Sequence, residues 1–72
     1  MKDERDMEKA YPLPDFIAKL RRLADALESG ERFEIQIGGE RIYVPARALC
    51  TIEHERDGAQ EEIEFQLRWE TP

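Results

Sequence analysis

EEIEFQLRW, residues Glu61–Trp69, alternates without a break. Ile63, Phe65, Leu67 and Trp69 take every second position, with Glu62, Glu64, Gln66 and Arg68 between them. Successive side chains of a strand point to opposite faces, so this stretch predicts a strand with one apolar face and one wet face. The rest of the chain reads as elements that pair with that strand or cover its apolar face.

Working back from it, Asp57-Gly58 is a hairpin signal, and Ala48–Glu55 alternates as the preceding strand. A two-residue Asp57-Gly58 loop pairs Ile52 with Ile63 and Cys50 with Phe65, and opposes one like-charge pair, Glu53 with Glu62. A four-residue loop over 57–60 opposes two such pairs, Glu55 with Glu62 and Glu53 with Glu64. Like charges directly opposite destabilise a ladder, so the shorter loop is expected. Pro45 ends the strand before this hairpin because it has no N–H to donate. That strand, Arg41–Val44, puts Ile42 and Val44 on one face and Arg41 and Tyr43 on the other. Gly38-Gly39 joins it to Phe33–Ile37, where Phe33, Ile35 and Ile37 alternate with Glu34 and Gln36. Two registers, Ile35 or Ile37 opposite Ile42, keep apolar against apolar, and the pattern does not choose between them.

Upstream lies a helix, expected from about Pro14 to Glu28. Proline suits its first turn, Asp15 complements its positive end, and Gly30 falls where a left-handed cap belongs. Phe16, Ile17, Leu20, Leu23, Ala24 and Leu27 form its apolar stripe, with Lys19, Arg22, Ala26 and Ser29 away from it. Before the helix, residues 1–5 read as a mobile charged lead-in. Met7, Lys9 and Tyr11 would line a short N-terminal edge strand at 6–11, next to the interrupting Pro12 and Pro14. The expected fold is α+β: one amphipathic helix on one face of a four-stranded antiparallel meander, in a single domain over 6–72, with room for that extra edge strand.

These elements, in this order, resemble the amphi-Trp domain proteins. The resemblance is carried by FIAKLRRLADALESG at Phe16–Gly30, FEIQIGGERIYVPA at Phe33–Ala46, IEHERDG at Ile52–Gly58 and EEIEFQLRW at Glu61–Trp69. It covers roughly residues 7–69. Family members often carry a short strand before the helix; the matching DMEKAYPLP here holds two prolines. The resemblance implies a small α+β domain and brings no activity and no catalytic residues.

Composition bounds the function. Seventy-two residues give one domain, and 39% charged against 40% hydrophobic residues is a globular balance. The expected core is Phe16, Ile17, Leu20, Leu23, Leu27, Phe33, Ile35, Ile37, Ile42, Val44, Cys50, Ile52, Ile63, Phe65, Leu67 and Trp69. A core this thin rarely supplies more than about 3–5 kcal/mol, and a partner subunit often makes up the rest. One cysteine allows no internal disulfide. With a charged N-terminus and no spanning segment, the expected location is the cytoplasm. A net charge of −6 argues against nucleic acid and anionic membranes as partners.

No constellation carries chemistry. Cys50 and His54 lie four apart on one strand, about 13 Å between backbones, and would leave a zinc shell incomplete. Cys50 reads as a small core residue and His54 as a strand-end residue. Gly38-Gly39 lacks the spacing of a phosphate loop. Ser29 and Thr51 have no neighbouring base. Lys19, Arg21 and Arg22 are balanced by Asp15 and Asp25. The remaining candidates concern interaction. Four strands are wider than one helix of about 10 Å diameter, so part of the apolar face stays uncovered. Trp69 either closes the core or anchors a partner there. Glu53 and Glu64, with Glu34, Glu55 and Glu62, form either a solvated face or an acidic patch for a basic partner. Tyr43 and Arg68 complete the candidate interaction residues. The expectation is a non-enzymatic protein-interaction module, without cofactor or small-molecule substrate, that self-associates as a homodimer through uncovered apolar sheet surface or an unpaired edge strand; the alternative is a binder of a basic protein or peptide through the acidic outer sheet face.

Overall fold

A computed structural model describes residues 4–72. The order is helix α1 (Leu13–Ser29), then strands β1 (Phe33–Ile37), β2 (Glu40–Val44), β3 (Leu49–Asp57) and β4 (Gln60–Arg68). The α+β class and the helix-then-four-antiparallel-strands plan are as expected. The ladders, however, are two separate hairpins, β1–β2 and β3–β4, rather than one continuous meander. Pro45 accounts for the break. It starts a tight turn in which the Ala48 N–H donates to the Pro45 carbonyl at 3.1 Å. The chain leaves this corner without β3 pairing onto β2. Arg47 Nη2 braces the corner by donating to the Glu70 carbonyl at 2.9 Å.

Residues 4–12 carry no strand, so the expected edge strand at 6–11 does not form. The segment runs into the start of α1, where Pro12 is the N-cap residue and Pro14 sits in the first turn. It is held by side chains instead: Arg5 donates to Glu40 and to the Ile37 carbonyl at the tip of the first hairpin. Residues 1–3 of the lead-in lie outside the described residues.

The helix starts one residue before expected and ends one after. Pro12 is its N-cap residue and Asp15 sits in its first turn. At the other end, Gly30 N–H bonds the Leu27 carbonyl and Glu31 N–H bonds the Ala26 carbonyl, the paired bonds of a Schellman cap.

Turn geometry decides both registers. Gly38 and Gly39 both have positive φ, 55° and 82°, as a two-residue type I′ loop demands. That loop sets Ile35 opposite Ile42 and Phe33 opposite Val44. In the second hairpin Gly58 alone has positive φ, 62°. A loop of Asp57-Gly58 would need the same of Asp57. The turn therefore places Gly58 first and Ala59 second, with Asp57 opposite Gln60, as a type II′ loop does. This is the register that charge counting disfavoured: Glu53 faces Glu64 and Glu55 faces Glu62. Cross-strand charge pairs contribute only about 0.2–1 kcal/mol each, and exposure screens them further. The same register brings Arg56 opposite Glu61, an attraction the alternative lacks.

The core is far smaller than the expected sixteen residues. Among the described residues, only Phe33 and Val44, 7% and 6% exposed, are buried. Phe16, Ile17, Leu20 and Leu27 on the helix and Ile52, Ile63 and Phe65 on the second hairpin are exposed, as is Cys50. The reason is how the helix sits. It meets β1 along one edge of its stripe, where Leu23 is half-buried, and Lys19 and Ala26 beside it are half-buried too. Arg22 donates to the Glu34 carbonyl at 3.1 Å and lies 5.2 Å from the Phe33 ring centre. The centre of the stripe looks into open space between the hairpins.

Candidate interaction surface

Two apolar surfaces result. The first is a groove of about 360 Å³ between the helix and the inner face of β1–β2. Phe16, Leu20 and Leu23 form one wall, Ile35, Ile37 and Ile42 line the floor, and Leu67 and Trp69 close one end. Its rim is basic: Lys19 Nζ and Lys9 Nζ lie 4.6 and 5.7 Å from the Tyr11 ring centre. The second surface is the apolar face of the β3–β4 hairpin. Nine-residue strands make an arm about 30 Å long. Its base, at Leu67, is half-buried in the groove. Further out, Ile52 and Phe65 face each other across the ladder, and Ile63 follows. These three are 69%, 66% and 66% exposed. A smaller hollow of about 220 Å³ separates Ile52 and Phe65 from Leu23 and Leu27, so the helix approaches the arm without covering it.

The outer face of the arm is acidic. Carboxylate oxygens of Glu53, Glu55 and Glu64 lie within 4.8 Å of one another, all exposed. Oxygen donors of this kind suit only a hard cation. Gln66 Nε2 already donates to Glu53 at 3.3 Å, and Thr51 bonds Gln66 at 3.1 Å. Near the tip, His54 Nε2 and Arg56 Nη2 each meet Glu61 Oε2 at 2.9 Å. These contacts, His54 first and Arg56 second, hold the Glu61 carboxyl below its ordinary 4.5. A lowered carboxylate pKa favours the folded arm fully above 4.5, and that contribution disappears as pH falls through the lowered value. An NMR titration should place Glu61 below 4.5, with His54→Ala returning it further toward 4.5 than Arg56→Ala. A Glu61 midpoint unmoved by either change would show that the contacts do not form in solution.

The candidate residues separate. Glu53 and Glu64 meet on the outer arm face, where Arg68, opposite Leu49, also lies. Glu34 belongs to the other hairpin, within 3.8 Å of Arg32 and 3.6 Å of Arg41. Tyr43 is exposed on the outer face of β2, under the Arg32 guanidinium at 4.5 Å. Trp69 is half-buried at the groove end. Ile52, Ile63 and Phe65 were expected in the core rather than at a surface. One helix is too narrow to cover four strands, and the split of the ladders leaves the apolar face of the second hairpin bare.

Among the described residues, no helix is long and apolar enough to cross a membrane. Comparison with protein-family models, with curated proteins and with solved structures returned no match.

Proposed function

We propose that this chain is a non-enzymatic protein-interaction module that self-associates through its apolar sheet surface. The observation that carries this reading is surplus surface. A folded monomer of 8.5 kDa exposes about 4,700 Å². This chain exposes 6573 Å². Residues 4–12, the uncovered arm face and the open groove all add to the excess of about 1,900 Å². The radius of gyration, 13.8 Å, also exceeds the roughly 11 Å of a compact chain of this length. An exposed row of large apolar side chains such as Ile52, Ile63 and Phe65 on a soluble protein marks a place where another molecule sits. The resemblance to amphi-Trp proteins is part of the proposal and adds no activity to it. A single cysteine fits a reducing compartment, so the cytoplasm goes with this reading.

Light scattering behind size exclusion, from micromolar to millimolar protein, tests it. The expected species is a dimer across that range. A monomer throughout would overturn self-association.

The cluster of Glu53, Glu55 and Glu64 favours a second reading, docking of a basic protein or peptide on the outer arm face. Such binding would weaken with salt and would be lost on reversing Glu53 and Glu64 to lysine. Binding indifferent to both would end it.

A further inference from the structure

We propose that the groove between α1 and the β1–β2 hairpin binds a small anionic amphiphile, a monocarboxylate. Its apolar body fills the groove and its carboxylate meets Lys9 and Lys19. The inference does not rest on self-association, and either can fail without the other.

Three observations carry it. The first is the space. At about 360 Å³, walled by Phe16 and Leu20 and floored by Ile35 and Ile42, it has the size and lining of a small-molecule site. Leu67 and Trp69 close one end. A partner helix, about 10 Å across, would need to run out of both ends, whereas a short hydrocarbon chain needs only one opening. The second is charge. Lys9 and Lys19 are the only charged side chains on the lining. Although the net charge is −6, neither has a carboxylate partner among the described residues. The ion pairs there use Arg5, Arg32, Arg41, His54 and Arg56 instead. The third is placement. Tyr11, itself on the lining, gathers both lysines, with Lys19 Nζ 4.6 Å and Lys9 Nζ 5.7 Å from its ring centre. Two ammonium groups drawn to one ring repel each other. An anion beside them relieves that repulsion and accepts charge-assisted hydrogen bonds from both.

The same features set the ligand class. An uncharged hydrocarbon would fill the groove and leave the two ammonium groups unanswered. A polyanion would find no further cation on an otherwise apolar lining. One negative charge on an apolar body matches both parts of the site. The net charge of −6 opposes approach to an anionic bilayer, so the ligand is a free molecule rather than a membrane surface.

Trp69 is the only tryptophan and stands at the closed end of the groove, so its fluorescence reads occupancy. The full chain is titrated with decanoate, decanol and decyltrimethylammonium, each kept monomeric. Decanoate should shift the emission saturably, at one molecule per chain. Exposed ion pairs of this kind contribute about threefold each, so decanoate should bind about tenfold more tightly than decanol. Lys9→Ala and Lys19→Ala should each weaken decanoate about threefold and leave decanol unchanged. Reversing both charges, Lys9→Glu with Lys19→Glu, should invert the order, with decyltrimethylammonium bound more tightly than decanoate. Equal binding of the three probes to the parent would overturn the anionic class. An emission spectrum that decanoate does not shift would overturn the site. Decanoate binding that weakens as protein concentration rises would place a second copy in the groove, overturning this inference and leaving self-association intact. Circular dichroism matching the parent, together with unchanged decanol binding, shows that each variant is folded.

Discussion

Under the proposed self-association, Phe65→Glu is expected to be monomeric while both hairpins stay formed. Phe65 is 66% exposed within its own chain, so the substitution removes little intrachain packing. The cost to the strand itself stays below about 1 kcal/mol. Between chains the effect is large. Burying a phenylalanine contributes about 1.5–3 kcal/mol, and a twofold axis applies the loss twice. Losing about 4 kcal/mol raises the dissociation constant about a thousandfold. The introduced carboxylate adds its own desolvation cost in an apolar contact. Leu49→Glu is the control. Leu49 is also an exposed apolar residue of the arm, but it lies on the outer face opposite Arg68. It should leave the dimer unchanged. Sedimentation velocity across a dilution series reads both. Equal dissociation of the two variants, or none of either, would mean that the apolar face of the arm is not the contact.

Phe33→Ala should unfold the chain. Phe33 is one of two buried residues among those described, and the other, Val44, is its direct partner across the first hairpin. The ring also supports the Arg22 guanidinium, through which the helix is tied to β1. Truncating a buried phenylalanine to alanine costs about 3–5 kcal/mol. That equals the whole contribution expected of a core this small. The far-ultraviolet spectrum of the variant should be that of a largely disordered chain at 25 °C. Phe33→Leu keeps most of the volume and should retain the fold with a lower melting temperature. A Phe33→Ala protein melting within a few degrees of the parent would show that the stability resides elsewhere.

The comparison of sequence and structure separates what is local from what is not. The helix and all four strands were legible because each carries its own period and its own stop: the Gly30 cap, the Gly38-Gly39 and Gly58 turns, and Pro45. The register of the second hairpin was misjudged at Glu53, Glu55, Glu62 and Glu64. Exposed like charges repel weakly, whereas the backbone of a tight turn tolerates few alternatives, so the turn prevails. The split between β2 and β3 is a tertiary choice that no alternation pattern records. The same holds for the core. Ile52, Ile63 and Phe65 are apolar and on one face, as read, but nothing in their spacing says whether that face is covered. Of the candidate interaction residues, Trp69 lies at the groove and Glu53 and Glu64 belong to the acidic cluster. Tyr43, on the far side of β2, joins neither.

The facing glutamates on the arm have a consequence for crowded solution. Two unpaired ladders leave bare backbone along their margins, the usual starting point for fibre growth. A further strand of this sequence added beside β3 or β4 would lay another row of carboxylates against Glu53, Glu55, Glu62 and Glu64, which already oppose one another in pairs. Each added layer would compound the repulsion. The acidic row thus opposes polymerisation along the arm. Neutral side chains in its place would leave Ile63, Phe65 and the naked ladder margins to recruit more chains without opposition.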